Sequence, residues 1–237
     1  MGRKRGAAHM DHESLKQQAA AAAVAEIVDG MVLGLGTGST AAFMITLLGE
    51  RIKREGLRVR GIPTSERTAQ AAQAAGIPLT DFAHDAVIDL AIDGADQITS
   101  GRLDLIKGLG GALLREKIVA DAARRLVIMA DASKLVTTLS GIVPVEVVAF
   151  GWEATSRKIA ALGGQPRLRL TADGAPYRSD GGNVILDCDF GAVSEPAPLD
   201  EALRRLVGVV ETGFFLGRAD LVLLAEEAGV RRLARGE

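Results

Sequence analysis

Apolar and polar positions change period repeatedly along the first 140 residues, and the changes predict helices and strands in turn. Ser14 with Gln17 three residues on is a capping-box pattern; it opens a helix to about Val28, closed by Gly30. Met31 to Leu35 reads as a short apolar strand, and helical spacing returns from Ala41. Leu57 to Pro63 reads as a second strand, Glu66 to Ala75 as a short helix ending at Gly76, and Ile77 to Leu79 as a further short strand. Val87 to Ile92 is an apolar strand, Gly111 to Arg124 a helix and Leu126 to Ala130 another strand. This alternation predicts a doubly wound, mostly parallel sheet.

The pattern changes near Gly141. Val143 to Phe150, Arg167 to Thr171, Asn183 to Asp189 and Val209 to Leu216 read as strands, with helices over Glu153 to Leu162 and Leu199 to Val207. Ala172-Asp173-Gly174 and Ser179-Asp180-Gly181-Gly182 are turn signals. The order βαββαβ is that of a split-βαβ, ferredoxin-like unit. Ala219 to Leu224 is one more strand, placed back in the first sheet. The expected fold is therefore α/β: a Rossmann-like large domain from residues 1–140 and 217–237, with 1–12 a flexible tail, and a small ferredoxin-like α+β domain at 141–216 inserted into it.

Three of the predicted strands end in polar clusters. The strand at Val87 to Ile92 runs into Asp93, Gly94, Ala95 and Asp96; the first strand runs into Gly36, Thr37, Gly38, Ser39 and Thr40; the strand ending at Ala130 runs into Asp131, Ser133 and Lys134. In a parallel sheet these ends share one edge, where open α/β sheets bind ligands. A glycine-hydroxyl loop at a helix start presents free N–H groups to an anion, whereas a tight turn with Ser39 or Thr40 as cap is the plain alternative. Ser39 stands where a dinucleotide fingerprint needs its third glycine, and no G-K-[ST] ending makes a Walker A loop. Thr64 and Ser65 either cap their helix or line the same site.

Lys107 and a glycine-rich loop (Gly108, Gly110, Gly111) precede the helix that carries Glu116. The helical neighbours of Glu116 are Leu109, Ala112, Leu113, Val119, Ala120 and Ala123, all apolar, and no cation stands at i+4. The expectation is a carboxylate buried without a cation, with a raised pKa that makes it a better base near neutrality. The polar stripe of that helix is expected on Lys117, Asp121 and Arg124.

Composition narrows the classes. The chain has 237 residues, 48 % hydrophobic, enough for a proper core. A net charge of −2 offers no general attraction to nucleic acid or an anionic membrane, and 3 % aromatics leaves no base-stacking platform. One cysteine, Cys188, excludes an internal disulfide framework and fits a reducing cytoplasm. No apolar run reaches transmembrane length, and no signal-type apolar core follows the basic start Arg3, Lys4, Arg5, which reads as a solvated tail. The histidines are His9, His12 and His84, and no His/Cys cluster has metal-ligand spacing.

GLGTGSTA, DLAIDGADQI, KGLGGALLREKIVA and ADASK, in that order and spacing, resemble the motifs of the A-type ribose-5-phosphate isomerases; NVILD and GVVETGFF fit them too. The resemblance spans about Gln18 to Leu233. It implies interconversion of D-ribose 5-phosphate and D-ribulose 5-phosphate in the pentose phosphate pathway, without metal or other cofactor, by a homodimer or a dimer of dimers. It carries over Glu116 as the proton-transferring base, Asp93 and Asp96 (with Gly94 and Ala95 between them) as substrate-contacting carboxylates, and Lys107 with Gly108, Leu109 and Gly110 as the Lys-Gly loop. It also carries over Thr37, Gly38, Ser39 and Thr40 as the TGST loop and Lys134 as a phosphate-side lysine. Two residues depart from the family pattern: Gln97 stands where glutamate is common, and Leu109 where glycine is usual, a poor fit if φ there must be positive.

On this reading Glu116 moves a proton between C1 and C2 through an enediolate, and Lys107 with the loop N–H groups meets the developing oxyanion. Asp93 serves ring opening, and Asp96 orients Lys107 and hydroxyls or simply holds the loop. A sugar-phosphate sensor without turnover would keep TGST and lose the base. A sugar-phosphate deaminase or CoA transferase has no separate signal for an amine or thioester.

Overall fold

The computed structural model describes residues 11–236. Helix α1 (His12–Ala25) leads into β1 (Val32–Leu35), α2 (Ser39–Glu55), β2 (Arg60–Pro63), α3 (Glu66–Ala75) and β3 (Leu90–Gly94). Three short strands, β4 (Gln97–Thr99), β5 (Leu105–Ile106) and, after α4 (Leu113–Ala122) and β6 (Leu126–Asp131), β7 (Leu135–Val136), decorate the edge of this layer. Then follow β8 (Leu139–Val147), α5 (Trp152–Ala161), β9 (Gln165–Leu168), β10 (Val184–Val193), α6 (Pro196–Arg204) and β11 (Val209–Thr212). β12 (Phe214–Phe215), β13 (Leu221–Glu226) and β14 (Gly229–Ala234) complete the chain.

The main sheet has the order β14-β13-β6-β3-β1-β2. Its five strands from β13 to β2 are parallel, and β14 closes one edge antiparallel as a hairpin with β13. Alternate strand residues feed two cores, as the period of two demands. Leu33, Leu35, Leu90, Ile92, Val127 and Met129 pack with α1 and α2 on one face. Val32, Ala91, Leu126, Ile128 and Val222 pack on the other with Val119 of α4, and with Leu105 and Phe215 of a small second sheet. This is the α/β architecture expected.

The βαββαβ run from β8 to β11 forms an antiparallel sheet of order β11-β8-β10-β9, covered by α5 and α6 through Ile159 and Leu203. Its limits differ from those read in the sequence. β8 starts at Leu139, before Gly141, and Phe214–Phe215 leave the small sheet to pair with β5. The resulting third sheet, β12-β5-β4-β7, ties the two larger ones together.

Several local expectations change. The tail falls mainly on residues outside those described, Arg3, Lys4, Arg5 and His9 among them, but its last two positions are ordered structure. Asp11, not Ser14, is the N-cap of α1: its carboxylate accepts the Ser14 N–H at 2.8 Å. Ser14 lacks that role because the helix has already begun. Ile77–Leu79 makes only a bridge at Leu79, and the third parallel strand starts at Leu90 rather than Val87, with a single bridge at Ile88. No helix of the described residues is long and apolar enough to cross a membrane.

Ile92, 1 % exposed and one residue before the polar end of β3, tests whether this core holds the site. Ile92→Ala should cost about 2–5 kcal/mol in urea unfolding; a loss below about 1 kcal/mol would show that the core beneath β3 relaxes freely.

Candidate active site

The strand order read from β2 to β13 is 2-1-3-4-5 in the sequence order of these parallel strands, so the topology reverses between β1 and β3. A crevice opens there, outside the carboxyl ends. It is a cavity of about 270 Å³ lined by residues from all three polar strand tips, the Lys107 loop, α4 and the start of α1.

One side of the cavity is built for an anion. α2 begins at Ser39 with Gly38 as its N-cap, and no side chain caps its first turn. Its free N–H groups, with Ser39 and Thr40 beside them, therefore face the cavity. Lys134 and Ser133 line it from the turn after β6, and His12 and Lys16 from α1. The Lys16 ammonium also pairs with Glu13 at 3.0 Å. His12 and Lys16 were not singled out in the sequence. Their i, i+4 spacing puts them on one helix face, but only the packing of α1 against β6 brings that face to the cavity.

Thr37 belongs more to the frame than to the surface. It is buried, and its hydroxyl bonds with those of Thr64, Ser65 and Thr68 at 2.7–3.0 Å. Thr64 and Ser65 do not line the cavity: Thr64 donates to the Leu35 carbonyl, and Ser65 caps α3 by accepting the Thr68 N–H. Of the two readings for this pair, capping holds for Ser65 alone, and Thr64 instead ties the end of β1 to the Thr37 hydroxyl.

The other side carries the charges. Lys107 is 3 % exposed, with its Nζ 2.9 Å from Asp93 Oδ2, 3.4 Å from Glu116 Oε1 and 2.6 Å from the Gly94 carbonyl. Its ammonium also lies 5.4 Å from the centre of the Phe215 ring. Asp93 Oδ1 accepts the Thr37 and Gly94 N–H groups. Gly36 lets the two strand ends meet, since a Cβ there would fall 2.2 Å from Asp93 Oδ1. Asp93, 4 % exposed, thus stands behind Lys107 and does not line the cavity; Asp96, Gly94 and Ala95 do. Asp96 Oδ2 accepts the Leu109 N–H at 3.0 Å.

Glu116 is buried, as its apolar neighbours require, but the burial is not free of cations. Lys107 reaches it from another element, which helical spacing within α4 cannot reveal. Its Oε2 is buried and has no hydrogen-bond partner. Desolvation raises its pKa to about 8; Lys107 opposes that rise, and Asp93 and Asp96 add to it. Burial also pushes Asp93 upward against the pull of Lys107. Desolvation works against the Lys107 charge too, but the two carboxylates outweigh it and hold the ammonium protonated. Asp93 has the ammonium and two N–H groups as donors, so Glu116, with one long contact, is left to hold the proton of the coupled pair.

Two expectations about the surroundings are corrected. Lys117 is not on a solvent stripe: it is 4 % exposed, donating to Glu211 Oε1 at 2.9 Å and to the Thr212 carbonyl at 2.7 Å, and burial lowers its pKa to about 8. Leu109 is 52 % exposed, outside the cavity lining, and its backbone is not strained. Among the described non-glycine residues Leu103 alone has a positive φ, and in this loop Gly108 and Gly111 take that role at 106° and 84°. Gln97 is matched to its place. Its amide donates to the Ser140 carbonyl at 2.8 Å and accepts the Ser140 N–H at 2.9 Å, a pairing that an ionised glutamate cannot complete.

Fold and site together define an α/β enzyme whose cavity joins an uncapped helix N-terminus to a buried carboxylate gripped by an ammonium. The family model of ribose 5-phosphate isomerase A (phosphoriboisomerase A) matches residues 60–229. Ribose-5-phosphate isomerase A of Gloeobacter violaceus is 55 % identical over 226 residues, 94 % of this chain and 97 % of that protein. The Thermomicrobium roseum protein of the same name is 50 % identical over 228 residues, 95 % of this chain and 96 % of its own. The solved structure of ribose 5-phosphate isomerase A from Methanocaldococcus jannaschii superposes with a TM-score of 0.91 at 39 % identity, covering 95 % of this chain and all of that one. A D-ribose-5-phosphate isomerase in complex with phospho-erythronic acid superposes equally well at 37 % identity, with the same coverage. The chain belongs to the ribose 5-phosphate isomerase A family of aldose–ketose isomerases.

Between about pH 4.5 and about pH 8 the folded protein keeps a proton on Glu116 that the unfolded chain releases, so this residue lowers stability as pH rises through that window. Urea unfolding of the wild type and Glu116→Gln across it should show the wild type losing ground to the variant with rising pH. Parallel curves would mean that the carboxylate ionises normally.

Proposed function

We propose that this site interconverts D-ribose 5-phosphate and D-ribulose 5-phosphate through an enediolate, with Glu116 as the base. The observation that carries the reading is the buried Glu116 carboxylate, its Oε2 unpartnered, on the wall of a cavity that also holds a helix N-terminus. In the open-chain aldose, Glu116 takes the proton from C2, and the electron pair moves onto the carbonyl oxygen at C1. Glu116 returns the proton to C1, and a proton passes from the C2 hydroxyl to O1. A carboxylate with a pKa near 8 is a far stronger base than a solvated one, and a positioned base is worth about 10²–10⁴-fold. Lys107 and the loop N–H groups stabilise the oxyanion, at roughly 3–4 kcal/mol for a well-placed donor.

Ring opening removes the anomeric hydroxyl proton and delivers one to the ring oxygen. It falls to Asp93 acting through Lys107, because Lys107 lines the cavity and Asp93 does not. Asp96, which does line it, holds the loop by Leu109 N–H and faces the sugar hydroxyls. The phosphate lies at the start of α2, met by Gly38, Ser39 and Thr40 and by the ammonium groups of Lys134 and Lys16. Binding energy gained there fixes the reacting carbons against Glu116.

The same reading makes the unit from Leu139 to Thr212 an inserted domain and the enzyme a cytoplasmic homodimer or homotetramer. The single cysteine, buried with a thiol pKa pushed up to about 12 by desolvation, suits a reducing compartment.

Ribulose 5-phosphate formation from ribose 5-phosphate, followed with EDTA present, tests the function. Wild-type activity should persist, and Glu116→Gln should lower kcat at least about a hundredfold while ribose 5-phosphate still binds. A wild type that binds ribose 5-phosphate without converting it would make the chain a sensor instead. Lys134→Ala and Lys16→Ala should act mainly on KM, and a fall in kcat at unchanged KM would remove the phosphate from that end.

A further inference from the structure

Arg169, just after β9 on the inserted sheet, is not among the residues that the motifs single out. Its side chain is 13 % exposed. Asp187 on the neighbouring β10 holds the guanidinium from two sides: Nε donates to Oδ2 at 2.9 Å and Nη2 to Oδ1. The remaining nitrogen, Nη1, donates to the carbonyls of Gly108 and Leu109 at 3.0 and 3.2 Å. Tyr177, whose ring centre lies 5.9 Å from the same guanidinium, presses on the loop one turn further on. A Cβ at Gly111 would fall 2.2 Å from its hydroxyl.

The loop so gripped is the one that follows Lys107. A peptide unit is planar and trans, so a carbonyl pulled one way sends the N–H of the next residue the opposite way. The Gly108 carbonyl points to Arg169, and its partner, the Leu109 N–H, points to Asp96 on the cavity wall. The Leu109 carbonyl also points to Arg169; its partner is the N–H of Gly110, which lines the cavity. A cation on a carbonyl also polarises the amide and makes its N–H a better donor.

We propose that Arg169, locked by Asp187, is a positioning residue for the isomerisation: it turns two peptide units of the glycine loop so that the Gly110 N–H meets the oxyanion of the enediolate and the Leu109 N–H fixes Asp96. The proposal rests on the isomerase reading and assigns the inserted domain a task in it. Arg169 touches no substrate. Its effect belongs to the step in which charge develops, and phosphate binding at α2 does not depend on it.

The test compares kcat, KM and ligand affinity in Arg169→Met and Arg169→Lys, using phospho-erythronic acid, whose planar carboxylate resembles the enediolate, and inorganic phosphate as probes. Arg169→Met should lower kcat about 10- to 100-fold with KM changed less than about threefold, since losing a whole oxyanion donor costs about 10²–10³ in kcat. It should weaken phospho-erythronic acid by a similar factor and leave inorganic phosphate unchanged. Arg169→Lys keeps the charge but cannot serve Asp187 and two carbonyls together, and should recover only part of kcat. Should Arg169→Met fail to fold, Asp187→Asn loosens the clamp with the arginine in place and should show the same split at smaller size. A folded variant with kcat within twofold of wild type, or an equal loss of both probes, overturns the proposal and leaves the isomerase reading standing; a wild type inert on ribose 5-phosphate overturns both.

Discussion

A buried lysine between two carboxylates is the constraint on which the site depends. Lys107 is buried, and so are Asp93 and Glu116 on either side of it. Each charge is tolerable only because the others are there: removing one member of a buried ion pair costs about 3–5 kcal/mol through the charge left behind. One ammonium, however, cannot satisfy two anions equally. Asp93 is held by backbone N–H groups as well, and Glu116 is left short of donors. The imbalance that is poor for stability is what makes Glu116 basic.

The sheet delivers these groups to one place. Reversal of strand order between β1 and β3 separates the loops that follow them, and α2 starts in the gap. Gly36 allows the two strand ends to approach until Asp93 lies against the backbone of the TGST loop. The lysine arrives by a different route. β5 pairs with β12, and the Lys107 N–H bonds to the Gly213 carbonyl, so Lys107 is seated against the link between the inserted sheet and β12. The small sheet thereby reaches the Lys107 loop in two ways, through Gly213, whose N–H bonds to the Pro144 carbonyl of β8, and through Arg169 behind the glycine loop.

What could be read from the residues follows from the range of the forces involved. Apolar periodicity showed the parallel strands and their helices, because burial on two faces writes itself into every second residue. The apolar surroundings of Glu116 were legible for the same reason. Strands of two or three residues, β4, β5, β7 and β12, are too short to carry a period, so the third sheet was not foreseen. Lys117 read as a surface residue because its partners, Glu211 and Thr212, lie far along the chain; its burial follows from a tertiary pairing. Lys16 and His12 were missed likewise, since nothing local tells which face of α1 meets β6. Leu109 raised a concern that the backbone dissolves, because the two neighbouring positions that need a left-handed conformation are glycines.

The parallel sheet is interrupted between β6 and β13, and Leu126 meets its partner Asp220 across 94 positions of chain. Every cavity residue from His12 to Lys134 therefore leaves the ribosome before the strand that covers β6 exists. Until then Val127, Ile128 and Met129 present an unpaired apolar edge, the kind that recruits other chains. Non-local parallel pairing is also slow to form. Nascent chains thus pass through a vulnerable interval set by topology alone, which closes only once the inserted sheet, complete at Thr212, is followed by β13.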